Sequence, residues 1–201
     1  METQEPLDRL TRFFASLREG EEVSFFFTKP YLNWAQALDI YAYRDLFINR
    51  ENVSEVRFHV PQEYLTLEFW TDFYSHVFEN YPETAQGMVE DFSNPEHYGI
   101  DASVLRGTIK GEGIARFIKR LSGEKIRGNP RYTIREKFRD LANPNGLEHR
   151  TVVHSSSPEE TLRDLKICER HHLLLDLASI IESHLRSPKR KSTMVQVRFK
   201  D

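Results

Sequence analysis

The stretch Arg150-Thr-Val-Val-His154-Ser-Ser-Ser157 sets one imidazole at the carboxyl end of a short apolar run, directly before three hydroxyls and the helix opening Pro158-Glu159-Glu160. A histidine so placed can serve as a nucleophile or as a base. Three cations accompany it. Lys29 follows the apolar run Val23-Ser-Phe-Phe-Phe-Thr28, Arg150 opens the histidine's own run, and Arg135 lies in the polar segment before it. If strand ends gather these four at one concave site, the chemistry they favour is that of a polyphosphate. Guanidinium groups grip phosphate oxygens through paired hydrogen bonds, and a lysine adds a mobile point charge. Singly, each has a bland reading as a solvated side chain. The combination is what suggests a site.

The elements that must position these residues follow from apolar spacing. Residues 7–17 carry Leu7, Leu10, Phe13, Phe14 and Leu17 at helical intervals and end near Gly20. Residues 23–28 read as a buried strand stopped by Pro30, which leaves Lys29 at a strand end, where exposure is the common fate. A helix over 32–47 has Asn33 as its cap. The alternation over 53–60 predicts a half-buried strand with His59 on its polar face. Aromatic residues recur every three or four positions over 65–78, which we read as one stripe packing into the core. A short helix near 85–92, a loop at Asn94-Pro95, a strand over 104–109 and a helix over 114–121 follow. Turn signals at Gly128-Asn-Pro130 and Asn143-Pro-Asn-Gly146 predict an irregular functional loop between residues 123 and 146, carrying Lys125, Arg127, Arg131, Arg135 and Lys137. Then come the strand to His154, a helix over 158–168, a helical run over 173–185 and a terminal strand over 194–199. The expected fold is α+β: a ferredoxin-like βαββαβ antiparallel sheet with helices on one face, plus added terminal helices. The expected organisation is a helical extension (1–22), the domain itself (23–168), and a second extension with a basic tail (169–201).

Composition narrows the class. No run approaches the roughly 18 apolar residues of a membrane span. The single cysteine, Cys168, excludes an intramolecular disulfide framework, and the first residues lack the basic and apolar regions of a signal peptide, so a cytoplasmic location is expected. With a net charge of −3 there is no global basic footprint, and no nucleic-acid partner is expected. The local run Pro188-Lys-Arg-Lys191 reads as a solvated charged segment.

Five short motifs in collinear order resemble those of nucleoside diphosphate kinases: Phe27-Thr-Lys29-Pro30; Gly111-Glu-Gly-Ile-Ala115; Asn129-Pro130; Thr133-Ile-Arg135; and Val153-His154-Ser-Ser156 leading into Ser157-Pro-Glu159. The resemblance spans roughly residues 23–168. It implies a phosphotransferase that moves the γ-phosphate of ATP or GTP to a nucleoside diphosphate through a phosphohistidine on His154. It implies Mg2+ bound with the nucleotide, nucleoside di- and triphosphates as partners, and a homo-oligomer. By motif, Ser156 and Asp164 would hold the histidine. Lys29, Tyr74, Arg135 and Arg150 would contact the nucleotide, with Lys119, Lys125 and Thr151 at further positions of the family's phosphate site. The alternative is a nucleotide-binding or interaction module with the same fold and little or no kinase activity.

Overall fold

Three consecutive phenylalanines divide the protein into layers. Successive side chains of a strand point to opposite faces, and here Phe25 and Phe27 enter one core while Phe26 enters another. The computed structural model describes residues 8–48, 52–121, 134–142, 152–173, 176–186 and 193–194. In chain order its elements are α1 (Arg9–Ala15), β1 (Glu22–Thr28), α2 (Trp34–Asp45), β2 (Val53–Val60), α3 (Leu67–Phe73), α4 (Ser75–Phe78), α5 (Pro82–Phe92), β3 (Ile100–Ile109), β4 (Glu112–Gly113), α6 (Ile114–Leu121), α7 (Ile134–Ala142), β5 (Val153–Ser155), α8 (Pro158–Arg170), α9 (Leu177–Leu185) and β6 (Thr193–Met194).

The sheet runs β5-β1-β3-β2-β6, and its first four strands are antiparallel throughout. That order is the ferredoxin-like arrangement. The two crossovers, α2 after β1 and α6–α7 after β3, cover one face through Ile40, Tyr41, Ile114, Ile118 and Phe138. The other face is covered by α1, α8, α9 and the α3–α5 insertion between β2 and β3, through Phe13, Trp70, Phe73, Leu165 and Ile181. β6 pairs in parallel with β2 at Val56 and Arg57 and closes that edge. None of the described helices is long and apolar enough to cross a membrane.

Local chemistry explains the element ends. Asn33 caps α2 in a reciprocal box: its side chain accepts from the Gln36 amide at 3.0 Å, and the Gln36 side chain accepts from the Asn33 amide at 2.9 Å. Gly107 has φ +142°, and a Cβ there would lie 1.9 Å from the Asn52 carbonyl oxygen, so only glycine lets β3 pass this close to the start of β2. The α2 crossover is fixed to the sheet by buried charge. Arg44 and Glu55 are both inaccessible and pair at 2.5 Å, Arg44 also donates to Ser103 Oγ at 2.9 Å, and Arg57 lies 3.0 Å from Glu55. Burial pushes the Glu55 carboxyl up, but Arg44 and Arg57 outweigh it and hold it down at about 2.

The aromatic stripe over 65–78 packs into the core as expected, on two helices, α3 and α4, that break at Tyr74 (φ −100°, ψ 19°), whose ring packs beside Trp70 and Phe73. Two expectations need correction. The segment expected to be irregular contains the nine-residue helix α7, because Phe138 and Ala142 bury against the α2 face. Lys29 is buried, not exposed, with 3% of its surface accessible. Leu7 and the part of the terminal strand beyond Met194 lie outside the described residues.

Candidate functional site

β5 is an edge strand, and its pairing with β1 decides where the histidine goes. Phe27 faces His154 in the register, and the ladder is extended on both sides by Lys29 N–H to Val152 O at 3.0 Å and Ser156 N–H to Phe25 O at 2.9 Å. His154 therefore shares the face of Phe27 and stacks on its ring, with centroids 4.7 Å apart and planes 17° from parallel. The Phe73 ring meets it edge-on at 5.2 Å. These contacts leave 15% of the imidazole side chain exposed.

Behind the imidazole stands a fully buried hydroxyl–carboxylate pair. Ser157 and Glu160 form the capping box that starts α8, and one face of that helix then buries Thr161, Asp164, Leu165 and Cys168 at helical spacing. Ser156 Oγ donates to Asp164 Oδ2 at 2.6 Å, and Arg163 donates to Oδ1 from Nε at 3.0 Å and Nη2 at 2.7 Å. His154 Nε2 lies 3.3 Å from both Ser156 Oγ and Asp164 Oδ2. Burial raises the Asp164 carboxyl, but bonds from His154, Ser156 and Arg163 more than offset it and keep the group below the usual carboxylate value. Burial lowers the imidazole pKa; Asp164 opposes that, and Lys29 and Lys119 add to it.

The tautomer follows from these donors and acceptors. The Ser156 hydrogen is committed to an ionised Asp164, which only accepts. Nε2 must therefore carry the proton and donate. In the neutral ring the lone pair is then on Nδ1.

Lys29 closes the inner wall. Its Nζ donates to Tyr74 Oη and lies 5.3, 4.9 and 4.7 Å from the ring centroids of Phe27, Tyr74 and Phe92. Among the described residues no carboxylate lies within ion-pair distance of it, and burial pulls its pKa down to about 7. Burial pushes the Tyr74 phenol well up, so it remains protonated. Lys119, in the last turn of α6, reaches the Ser155 carbonyl at 3.4 Å.

Lys29, Tyr74, Lys119 and His154 thus line one cleft of about 280 Å3, together with His76, Met88, Val152, Val153, Ser155 and Glu160. Of the residues singled out from sequence, Ser156 and Asp164 back the histidine. Arg135 stands on α7, a helix where a loop was expected, and its side chain is outside the described residues. Lys125, Arg150 and Thr151 also lie outside them. Sequence reasoning missed Phe27 and Phe73 as contacts of the imidazole, since an apolar strand and an aromatic stripe both read as core. It also missed His76, whose Nδ1 is buried and makes no hydrogen bond among the described residues.

No protein-family model and no curated protein matches the sequence. Among solved structures, the chain is similar to the nucleoside diphosphate kinase of Aquifex aeolicus, at 21% identity, covering 73% of this chain and 94% of that one, with a TM-score of 0.43. A halophilic nucleoside diphosphate kinase from Halobacterium salinarum in complex with CDP is 16% identical, with coverage of 73% and 86% and a TM-score of 0.39. That of Encephalitozoon cuniculi is 18% identical, with coverage of 73% and 87% and a TM-score of 0.36. The fold itself is defined by the β5-β1-β3-β2 strand order.

Proposed function

We propose that the protein is a nucleoside diphosphate kinase-like phosphotransferase with His154 as the phosphoryl acceptor. One observation carries this reading: His154 Nε2 is tied to the buried Ser156–Asp164 pair, and Nδ1 is left as the nucleophilic nitrogen in a cleft that also holds Lys29 and Lys119. In the first half-reaction the Nδ1 lone pair attacks the γ-phosphorus of a nucleoside triphosphate. The bond from that phosphorus to the bridging oxygen breaks, and its electron pair leaves with the nucleoside diphosphate. The ring becomes a phosphorylated imidazolium, and Asp164 stabilises its positive charge through Nε2–H. In the second half a terminal phosphate oxygen of another nucleoside diphosphate attacks the same phosphorus, the bond from phosphorus to Nδ1 breaks, and its electron pair returns to Nδ1, which restores the neutral ring. Such transfers ask the protein chiefly for alignment and positive charge. Lys29 and Lys119 supply charge in the cleft, and Lys125, Arg135, Arg150 and Thr151 are the further phosphate contacts expected from sequence.

Magnesium would arrive on the nucleotide's phosphates. Among the described residues no group of three His, Cys, Asp or Glu side chains is placed to hold an ion alone, while Glu160 puts a carboxylate on the cleft wall. Bound with the nucleotide, the ion would neutralise phosphate charge.

The test is incubation with γ-labelled ATP, followed by a search for an acid-labile, base-stable phosphoryl group in the wild type and in His154→Ala, then a chase with a nucleoside diphosphate. Label on the wild type alone, lost in the chase, is expected. Nucleotide binding without label would establish the binding-module alternative. Label on the variant would mean another residue is the acceptor.

A further inference from the structure

A second cavity, sharing no lining residue with the His154 cleft, lies where α1 and α9 meet β3. It is open to solvent, has a volume of about 550 Å3 and is lined by Arg9, Arg12, Phe13, Ser16, Arg106, Glu182 and Arg186. That volume is in the range of small-molecule sites. Four guanidinium groups around one carboxylate is an unusual lining, and the pairing within it is uneven.

Arg106 is buried and fully engaged. Its Nε and Nη2 donate to Glu21 at 3.2 and 2.7 Å, its Nη1 donates to the Leu185 carbonyl at 2.9 Å, and its guanidinium carbon sits 5.5 Å from the centroid of the Phe13 ring. This gives the cavity a rigid floor. It also covers the carboxyl end of α9, whose carbonyls would otherwise set negative partial charge against an anion. Arg9 donates to Ser179 Oγ and pairs with Glu182 at 3.4 Å, which uses the cavity's carboxylate. Arg12 and Arg186 are exposed at the cavity, and among the described residues neither has a carboxylate within ion-pair distance. Among the described residues two positive charges are therefore uncompensated at the mouth of this polar cavity.

We infer that this cavity binds the phosphate group of a small phosphorylated molecule, held between Arg12 and Arg186 above the Arg106–Phe13 floor. A phosphate monoester carries close to two negative charges at neutral pH, which balances the two unpaired guanidiniums. Its oxygens match their planar forks, as an ammonium or a single carboxylate would not. The inference does not depend on the reaction proposed for His154.

Inorganic pyrophosphate is a suitable probe, titrated into the full-length protein at low salt while the backbone amides of Phe13 and Ser16 are followed by NMR. The expected result is a saturable shift of both amides, with affinity roughly tenfold weaker in Arg12→Ala and in Arg186→Ala, as loss of one charge-assisted contact predicts. Both positions are exposed, so the variants should keep the wild-type melting temperature. Glu182→Gln, which frees Arg9, should tighten binding several-fold. His154→Ala should leave the Phe13 and Ser16 shifts unchanged, which separates this site from the cleft. Absence of a saturable shift at these amides, or affinity unchanged in both arginine variants, would overturn the assignment.

Discussion

Replacing Lys29 with methionine is expected to make the protein more stable while weakening anion binding in the cleft. Lys29 Nζ is enclosed by three rings and one hydroxyl, with no carboxylate near it among the described residues. Its ordinary pKa of 10.5 falls to about 7 because burial penalises the ammonium. At about 1.4 kcal/mol per pH unit, the folded state at and below pH 7 bears a cost of ~4–5 kcal/mol that the unfolded chain avoids. Between about pH 7 and 10.5 the unfolded chain binds more protons than the folded one, so this contribution makes stability rise with pH in that window and leaves it flat below. Methionine nearly preserves length and shape and removes the charge. It leaves Tyr74 Oη without its partner, at a cost of about 1–3 kcal/mol. The net expectation is a gain of roughly 2–3 kcal/mol at pH 7 that vanishes or reverses near pH 10. Guanidinium denaturation of both proteins at the two pH values measures it, and taking the variant-minus-wild-type difference at each pH cancels other titrating groups. A difference that is the same at both pH values, or a variant that is less stable at pH 7, would refute the reasoning. Nucleotide titration of the same samples should show weakened binding in the more stable protein.

Asp164→Asn keeps the shape but cannot accept from His154, Ser156 and Arg163 together. Under the proposed function, phosphohistidine formation should slow by roughly 10²–10⁴-fold in rapid-quench labelling. Its stability cost of ~1–3 kcal/mol should fade as pH drops below the ordinary carboxylate value of 3.8, where the wild-type group also protonates. Glu55→Ala removes the buried one of the two carboxylates that pair with the inaccessible Arg44, leaving Asp45 at 2.9 Å, and should cost ~1–3 kcal/mol in urea denaturation at pH 7. In the wild type that ion-pair contribution should be lost between pH 4.5 and about 2, because the folded-state pKa is depressed. Gly107→Ala meets the Asn52 carbonyl and should lower stability by more than ~3 kcal/mol, or prevent soluble expression.

What the sequence made legible was whatever local pattern decides. The run 23–28, closed by Pro30, is a strand because six consecutive buried residues and a missing amide donor permit little else. Asn33 followed by Gln36 is a cap for reasons contained in four residues. The elements misread were those decided at a distance. Ile134, Phe138 and Leu141 have helical spacing, but the Gly and Pro turn signals on both sides hid α7, and the face of α2 that buries Phe138 lies far away in the chain. The break at Tyr74 belongs to its contacts with Lys29 and Trp70. Nothing local to Lys29 marks it as buried, since its enclosure comes from Tyr74 and Phe92 on the insertion. Of the candidate site, His154 stood out by residue type and position. Asp164 was reached through motif resemblance alone, and its place on the buried face of α8 emerges only once that helix packs on β1.

The stack of His154 against Phe27, with Phe73 at its edge, has a kinetic consequence. A ring held on two sides and bonded through Nε2 has already given up its side-chain rotation when the chain folds, so that entropy is absent from the activation barrier. The same confinement forbids a phosphorylated ring from swinging between two stations. Under the proposed function donor and acceptor must therefore use one mouth in turn, and each nucleotide should compete with the other for entry.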